Sequence, residues 1–369
     1  MIFCALTTFS LAVTTSRSEP FDARGNQFIA FKSFFAFNKS AGLIAGETVL
    51  TSPEIRARIS WDELIASWNA DTPAGAYLKV EVRAIYPDRA TRFYTMGLWS
   101  GDPARHPRES VPNQKDADGD VDTDTLALRQ SAECLQLRLT LGGDTRQRPR
   151  MKFVSVSLLN SKVALAPLPP NRAAWGKIID VPERSQMVYE NGDVLCSPTT
   201  VSMLLAYWSR KLKQPCLDRD VPEVVKGVFD PKREGTGNWV FNTAYAGSFK
   251  EMRACTARLS DVAELEDWIV RGLPVGLSVC YNRLRGKSRE PSGHLVVCVG
   301  FTKTGDVIVN DPGTRENVRK VFPRANLIDA WAYKNNAVYL IYPKNVRLPK
   351  DRFGHWDSWT SRRRISTSR

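Results

Sequence analysis

Cys196 opens a run, CSPTTVSMLLAYW (196–208), in which proline sits two residues on and apolar residues follow at helical spacing. Proline is favoured in the first turn of a helix, so the pattern predicts a helix over 197–210 with the cysteine at or just before its start. Unpaired amides and the helix dipole stabilise negative charge there. A thiol so placed gives up its proton more readily, and the thiolate is the nucleophile. The competing role for Cys196 is that of a small buried apolar residue.

A thiol nucleophile needs a base. The chain has three histidines. His106 lies in a Pro/Arg-rich loop and His355 in a basic C-terminal stretch; only His294 stands at the head of a strand, HLVVCVGF (294–301), in the same half as Cys196. A histidine base needs an orienting group. If Phe301 pairs with Asp306 across the TKTG turn, Val296 lies opposite Asp311, and Asp311 shares the face of His294 as a diagonal neighbour about 7–8 Å away between backbones. A slip of one residue would substitute Asn310. Cys298 shares that face too, but four residues along, roughly 13 Å at strand rise; it and Cys280 read as core. Acyl chemistry also needs donors for an oxyanion: the Cys196 amide by position, and Gln186 in VPERSQMVYENG (181–192) as a side-chain candidate.

These residues need a scaffold. Period-two alternation in YLKVEVRAIY (77–86) and CLQLRLTL (134–141), with a further strand at 152–158, predicts an all-β antiparallel sandwich for the first part. DADGDVDTD (116–124) has its glycine at the wrong offset for a calcium loop and no closing glutamate, so it reads as a solvated acidic hairpin. Three prolines in ALAPLPPN (164–171) predict an extended linker. Beyond it, helices at 197–210 and 261–271 precede strands at 294–301, 306–311 and 337–342, which is an α+β order. The expected division is 1–20 a signal or disordered start, 21–163 the β domain, 164–175 linker, 176–345 the second domain and 346–369 a basic flexible tail.

The 369 residues carry a formal charge of +13. No groove-reading helix or basic–aromatic array accompanies it, so nucleic acid is not an expected partner. The excess falls partly in 345–369, with seven Lys/Arg against two Asp, a surface that could meet anionic groups. Seven scattered cysteines without a C-x-x-C pair argue against a disulfide framework or zinc. No metal or cofactor is called for. No apolar run is long enough to cross a bilayer. The apolar start Ile2–Val13 favours export, without a clear cleavage site.

Gln186, Cys196 in CSPTT, His294 in GHLVV and Asp311 in DPG, in that order, resemble the cysteine-peptidase family thirty-nine, of the bacteriocin-leader peptidase type, over roughly 178–342. The resemblance implies a papain-like fold, Cys196 as nucleophile, His294 as base, Asp311 as orienter, Gln186 as oxyanion donor and a peptide or protein substrate. The family commonly has glycine where this chain has Ser197, which bears on how closely substrate approaches. The stretch GTGNWVFNTAYAG (235–247), with Trp239 and Tyr245, reads as a cleft wall. The expected activity is peptide hydrolysis through an acyl-enzyme. An acyltransferase or amidase on the same residues, or a binding protein without catalysis, are the alternatives.

Overall fold

The computed structural model describes residues 24–144, 148–164 and 167–359. The apolar start lies outside them.

Nine strands form the first part: β1 (Asn26–Phe31), β2 (Asn38–Ala41), β3 (Thr48–Thr51), β4 (Ile55–Asp71), β5 (Ala76–Ile85), β6 (Tyr94–Ser100), β7 (Gly119–Asp122), β8 (Thr125–Gly143) and β9 (Arg150–Leu159). The second part runs α1 (Cys196–Leu212), α2 (Val221–Val228), α3 (Trp239–Ser248), β10 (Met252–Arg258), α4 (Val262–Val270), β11 (Val275–Cys280), α5 (Tyr281–Leu284), β12 (Gly293–Phe301), β13 (Val307–Asn310), β14 (Arg319–Phe322), α6 (Arg324–Ala332), β15 (Ala337–Pro343) and β16 (Trp356–Trp359).

The alternating segments all fall in strands, but the first sheet is one continuous ten-stranded ladder rather than two separate sheets. The reason is length. β8 has 19 residues and can serve several partners, pairing with β4 and β7 at its start and with β3 and β5 further on. Register shifts on either side of Trp61 bend β4 along it.

β16 closes the first sheet, pairing parallel with β1. This corrects the expectation of a flexible tail for 346–359; the rest of that stretch, 360–369, lies outside the described residues. His355 is buried between two acceptors, Nδ1 at 2.9 Å from Asn26 Oδ1 and Nε2 at 2.7 Å from Glu264 Oε1. Arg352 bonds Asp267 at 2.7 Å, so part of the basic character serves local pairing. The proline-rich linker is likewise tied down: Leu168 N–H donates to Asp261 and Asn171 N–H to Glu266.

The second sheet has the order β10-β15-β11-β12-β13-β14 and is antiparallel throughout. α4 buries Ala263, Leu265, Trp268 and Ile269, the face its spacing predicted. α1 is buried nearly all round from Ser197 to Ser209.

The two parts are joined along β10, an edge strand whose outer polar groups would otherwise lack partners. Side chains of the first part supply them. The Asn69 carboxamide donates to Ala254 O at 2.7 Å and accepts from Ala254 N–H at 3.1 Å. Thr256 N–H donates to Ser67 Oγ, and Asn26 Nδ2 donates to Arg258 O. This explains why β4 alternates buried and exposed only as far as Ser60 and is then buried on both faces. Trp68 and Trp99 meet Phe241 of α3 at ring-centroid distances of 6.2 and 5.6 Å beside this joint.

Asn69→Ala strands both polar groups of Ala254 in a buried joint. A loss of about 2–4 kcal/mol in unfolding free energy is expected, read from urea denaturation; an unchanged midpoint would contradict this role.

Candidate active site

Cys196 is the first residue of α1, after the turn Gly192–Val194. That turn packs against a second one, Gln186–Val188. The packing is close: a Cβ on Gly192 would lie 2.2 Å from the Gln186 carbonyl oxygen, so only glycine fits. The Gln186 N–H donates to Pro312 O at 3.0 Å, which fastens this loop to the residue after Asp311. The Gln186 side chain is 2% exposed and its Oε1 has no hydrogen-bond partner.

His294 stands near the start of β12, and Asp311 follows the last residue of β13. Their geometry depends on a bulge. At the turn Phe301 pairs with Val307 and Gly300 with Ile308, one residue out from the expected register. The ladder then shifts, and Cys298 pairs with Val309 and Val297 with Asn310. The extra residue, Val299, gives its carbonyl to Ile179 N–H at 2.7 Å. Gly300 permits this approach, since a Cβ there would meet Lys177 O at 2.1 Å. Below the bulge the register is the one that places Asp311 on the face of His294.

The two side chains do meet: His294 Nε2 lies 2.8 Å from Asp311 Oδ1, with both residues buried. Asp311 holds only one of the two ring nitrogens, and the Cys196 side chain is among the groups that act on the imidazole. Asn310 faces away, donating to Val181 O and accepting from Arg319. Cys298 and Cys280 are buried, and burial pushes the Cys298 thiol up to about 12.

Two residues that sequence reasoning missed complete the arrangement. Tyr281 donates its hydroxyl to Asp311 Oδ2 at 2.7 Å and lays its ring on the His294 imidazole at 4.1 Å between centroids. It lies two residues beyond Val279, the cross-strand partner of His294, so the β11–β12 register would have revealed it. Gly313 donates its N–H to Asp311 Oδ1 at 2.9 Å. A Cβ at Gly313 would come 3.0 Å from the imidazole, so the glycine of Asp-Pro-Gly does more than end a strand.

The electrostatics follow from these contacts. Burial alone would push His294 down, but the hydrogen bond to Asp311 and the influence of the Cys196 side chain outweigh it and hold the imidazole up to about 9. Burial of Asp311 is likewise outweighed, by His294, Tyr281 and the Gly313 amide, and its carboxyl is held below the usual range. A thiol, an imidazole and a carboxylate that act on one another are groups that attack on a carbonyl carbon requires, and the Gln186 backbone is fastened to the residue after the carboxylate.

Three expectations around the site change. Ser197 does not face substrate: it is fully buried, with Oγ 2.7 Å from the Tyr339 hydroxyl, so the hydroxyl that replaces the family's glycine is absorbed by the core. The 235–247 stretch is chiefly helix α3, not an open wall. Within it Trp239 opens α3 at the joint, partly buried, its N–H capped by Asp124 at 2.7 Å. Tyr245 does line one, a cavity between the two parts that also includes Leu195, the residue before Cys196.

Residues 178–339 match the Peptidase_C39 like family and residues 46–158 match the Peptidase C39 N-terminal domain. The chain belongs to the C39 peptidase family, which implies cysteine peptidase activity. No curated protein sequence matches it. Among solved structures, a protein from Bacillus anthracis described as a C39-like peptidase aligns at 16% identity and TM-score 0.37, over 46% of this chain and 99% of its own. The CBM22-1–GH10 modules of xylanase 10B from Clostridium thermocellum align at 8% identity and TM-score 0.16, over 50% of this chain and 34% of theirs. Neither superposition is close enough to define the fold. No helix among the described residues is long and apolar enough to cross a membrane.

The raised imidazole gives a pH expectation. A folded pKa above the ordinary histidine value of 6.5 stabilises the protein fully below that value, and the contribution is lost as pH rises through about 9. The imidazolium form persists over the same window, so kcat/KM on a peptide substrate should fall as pH passes about 9. Asp311→Asn removes an upward contributor and should move that alkaline limb to lower pH. A limb that stays in place would show that the pair does not set it.

Proposed function

We propose that this chain is a cysteine peptidase that hydrolyses peptide bonds with Cys196 as nucleophile, His294 as general base and acid, and Asp311 as orienting carboxylate. One observation carries the reading: the buried His294 imidazole at the head of β12 is bonded to Asp311 at 2.8 Å and also feels the Cys196 side chain, which helps to raise its pKa. The papain-like character of the second domain belongs to the same reading.

The steps follow from the groups. The imidazole takes the thiol proton, and the thiolate sulfur attacks the carbonyl carbon. The oxyanion is received by the Cys196 N–H and by Gln186 Nε2, from a loop whose backbone packs on Gly192 and bonds Pro312 O. The C–N bond breaks as the imidazolium gives its proton to the leaving amine, and a thioester remains on Cys196. Water, deprotonated by His294, releases the acid and restores the thiol. Throughout, Asp311 and the Tyr281 ring keep the imidazole in one orientation. An amine in place of water would turn the same thioester to acyl transfer. Added amine acceptors separate the two outcomes by the ratio of transfer product to acid.

Iodoacetamide at mildly acidic pH, followed by peptide mapping, tests the reading. Selective labelling of Cys196, lost in His294→Ala, is expected. Slow and uniform labelling of all the cysteines would sink it. Tyr281→Phe keeps the ring and removes one hydrogen bond to a buried carboxylate. It should lower kcat about ten- to a hundredfold with little change in KM; unaltered kcat would remove Tyr281 from the positioning role.

A further inference from the structure

The cavity beside Leu195 has a volume of about 1070 Å³ and is walled by both parts of the chain. Trp99, Ser100 and Arg108 line it from the β domain, and Lys226 and Tyr245 from the second domain. Arg108 is the unusual member. It is 5% exposed, with its guanidinium over the Trp99 ring at 4.7 Å. A guanidinium has five N–H donors. Nη1 donates to Lys226 O and Nη2 to Ser100 O, each at 3.1 Å, while Nε is buried without a partner.

No carboxylate pairs with Arg108 among the described residues. The acids on the cavity wall are elsewhere engaged or at its rim: Glu223 pairs with Arg219 at 2.9 Å, Asp102 accepts from the Ala104 N–H at 3.2 Å, and Glu190 is exposed. Burial pushes the Arg108 pKa down to about 10, as it does for a cation with no anion beside it. The contact with Lys226 O accounts for one donor at the end of α2 but leaves the charge unmatched. The position is also held firmly. Two residues on, Ser110 donates both its N–H and its hydroxyl to buried Asp230 of the second domain, at 3.1 and 2.5 Å. A buried guanidinium is ordinarily matched by an anion, and here none is matched to Arg108, which lines a cavity that Leu195, the residue before the candidate nucleophile, also lines.

We propose that Arg108 is a specificity-determining residue that receives a carboxylate of the peptide substrate, from an Asp or Glu side chain or from the peptide's C-terminus, in the cavity formed by the two domains. The proposal rests on the peptidase reading. It gives the β domain a direct part in substrate choice: β6 and the segment after it supply the recognising wall, and α2 and α3 the facing one.

The test uses the full chain and peptides found by cleavage of a mixed peptide library. Each is resynthesised as matched pairs, Glu against Gln at each position and C-terminal acid against C-terminal amide. The wild type should favour the acid member of one pair by at least about tenfold in kcat/KM, and which pair responds identifies the source of the carboxylate. Arg108→Met should bring that ratio close to one, while Arg108→Lys should keep part of it. Equal rates for both members of every pair in the wild type, or an unchanged ratio in Arg108→Met, would overturn the proposal. If Arg108→Met does not fold, the wild-type ratio and Arg108→Lys decide. Binding to Cys196→Ala of Glu/Gln and acid/amide peptide pairs drawn from the library without regard to cleavage distinguishes failure of the carboxylate site from failure of the peptidase reading. Should the wild type cleave no peptide, the peptidase reading fails. Preferential binding of the acid members would still support the carboxylate site, and equal binding would remove it.

Discussion

The bulge at Val299 is the constraint on which the candidate site rests. Side chains alternate along a strand, so an error of one residue between β12 and β13 would turn Asp311 away and bring Asn310 round to His294. The turn alone sets a register one residue out. Val299 takes up the difference, and it can do so because residues 177–179 lie alongside and bind the freed backbone groups. Gly300 leaves room for that segment. The contact between imidazole and carboxylate is therefore decided several residues away from either, by a glycine and by the chain entering the second domain.

A second constraint is the joint between the domains. β10 needs partners for its outer edge, and Asn69, Ser67 and Asn26 of the first domain provide them. Once that edge is fixed, Trp99 and the segment carrying Arg108 come to lie opposite α2 and α3. The β domain is thus more than an appendage on a linker. It forms one wall of the cavity whose other wall includes Leu195, the residue before Cys196.

Much of this was legible in the sequence, and the failures have physical causes. Strict alternation exposed β5 and β8, whose pleats turn apolar residues to the core, and the 3.6-residue spacing exposed α4. The order Gln186, Cys196, His294, Asp311 pointed to the family that the comparisons support. The placing of Asp311 was right in outcome although the assumed turn was not, since two one-residue departures cancelled. Ser197 was read as a contact for substrate because nothing in the sequence shows that Tyr339, far along the chain, accepts its hydroxyl in the core. Tyr281 was missed because the long loop before His294 leaves the β11–β12 register open. The stretch after residue 346 was read as flexible from its charge, whereas His355 and Arg352 have acidic partners on α4 that no local pattern reveals.

The account centres on one arrangement, in which the sulfur of Cys196, the imidazole of His294 and the carboxamide of Gln186 converge on a carbonyl group. A crystal structure of the protein treated with a peptide aldehyde would measure it directly. The expected result is a hemithioacetal on Cys196 Sγ, its oxygen hydrogen-bonded to Gln186 Nε2 and the Cys196 N–H, with His294 still on Asp311. An adduct on another cysteine, or a Cys196 adduct whose oxygen points away from Gln186, would contradict the account.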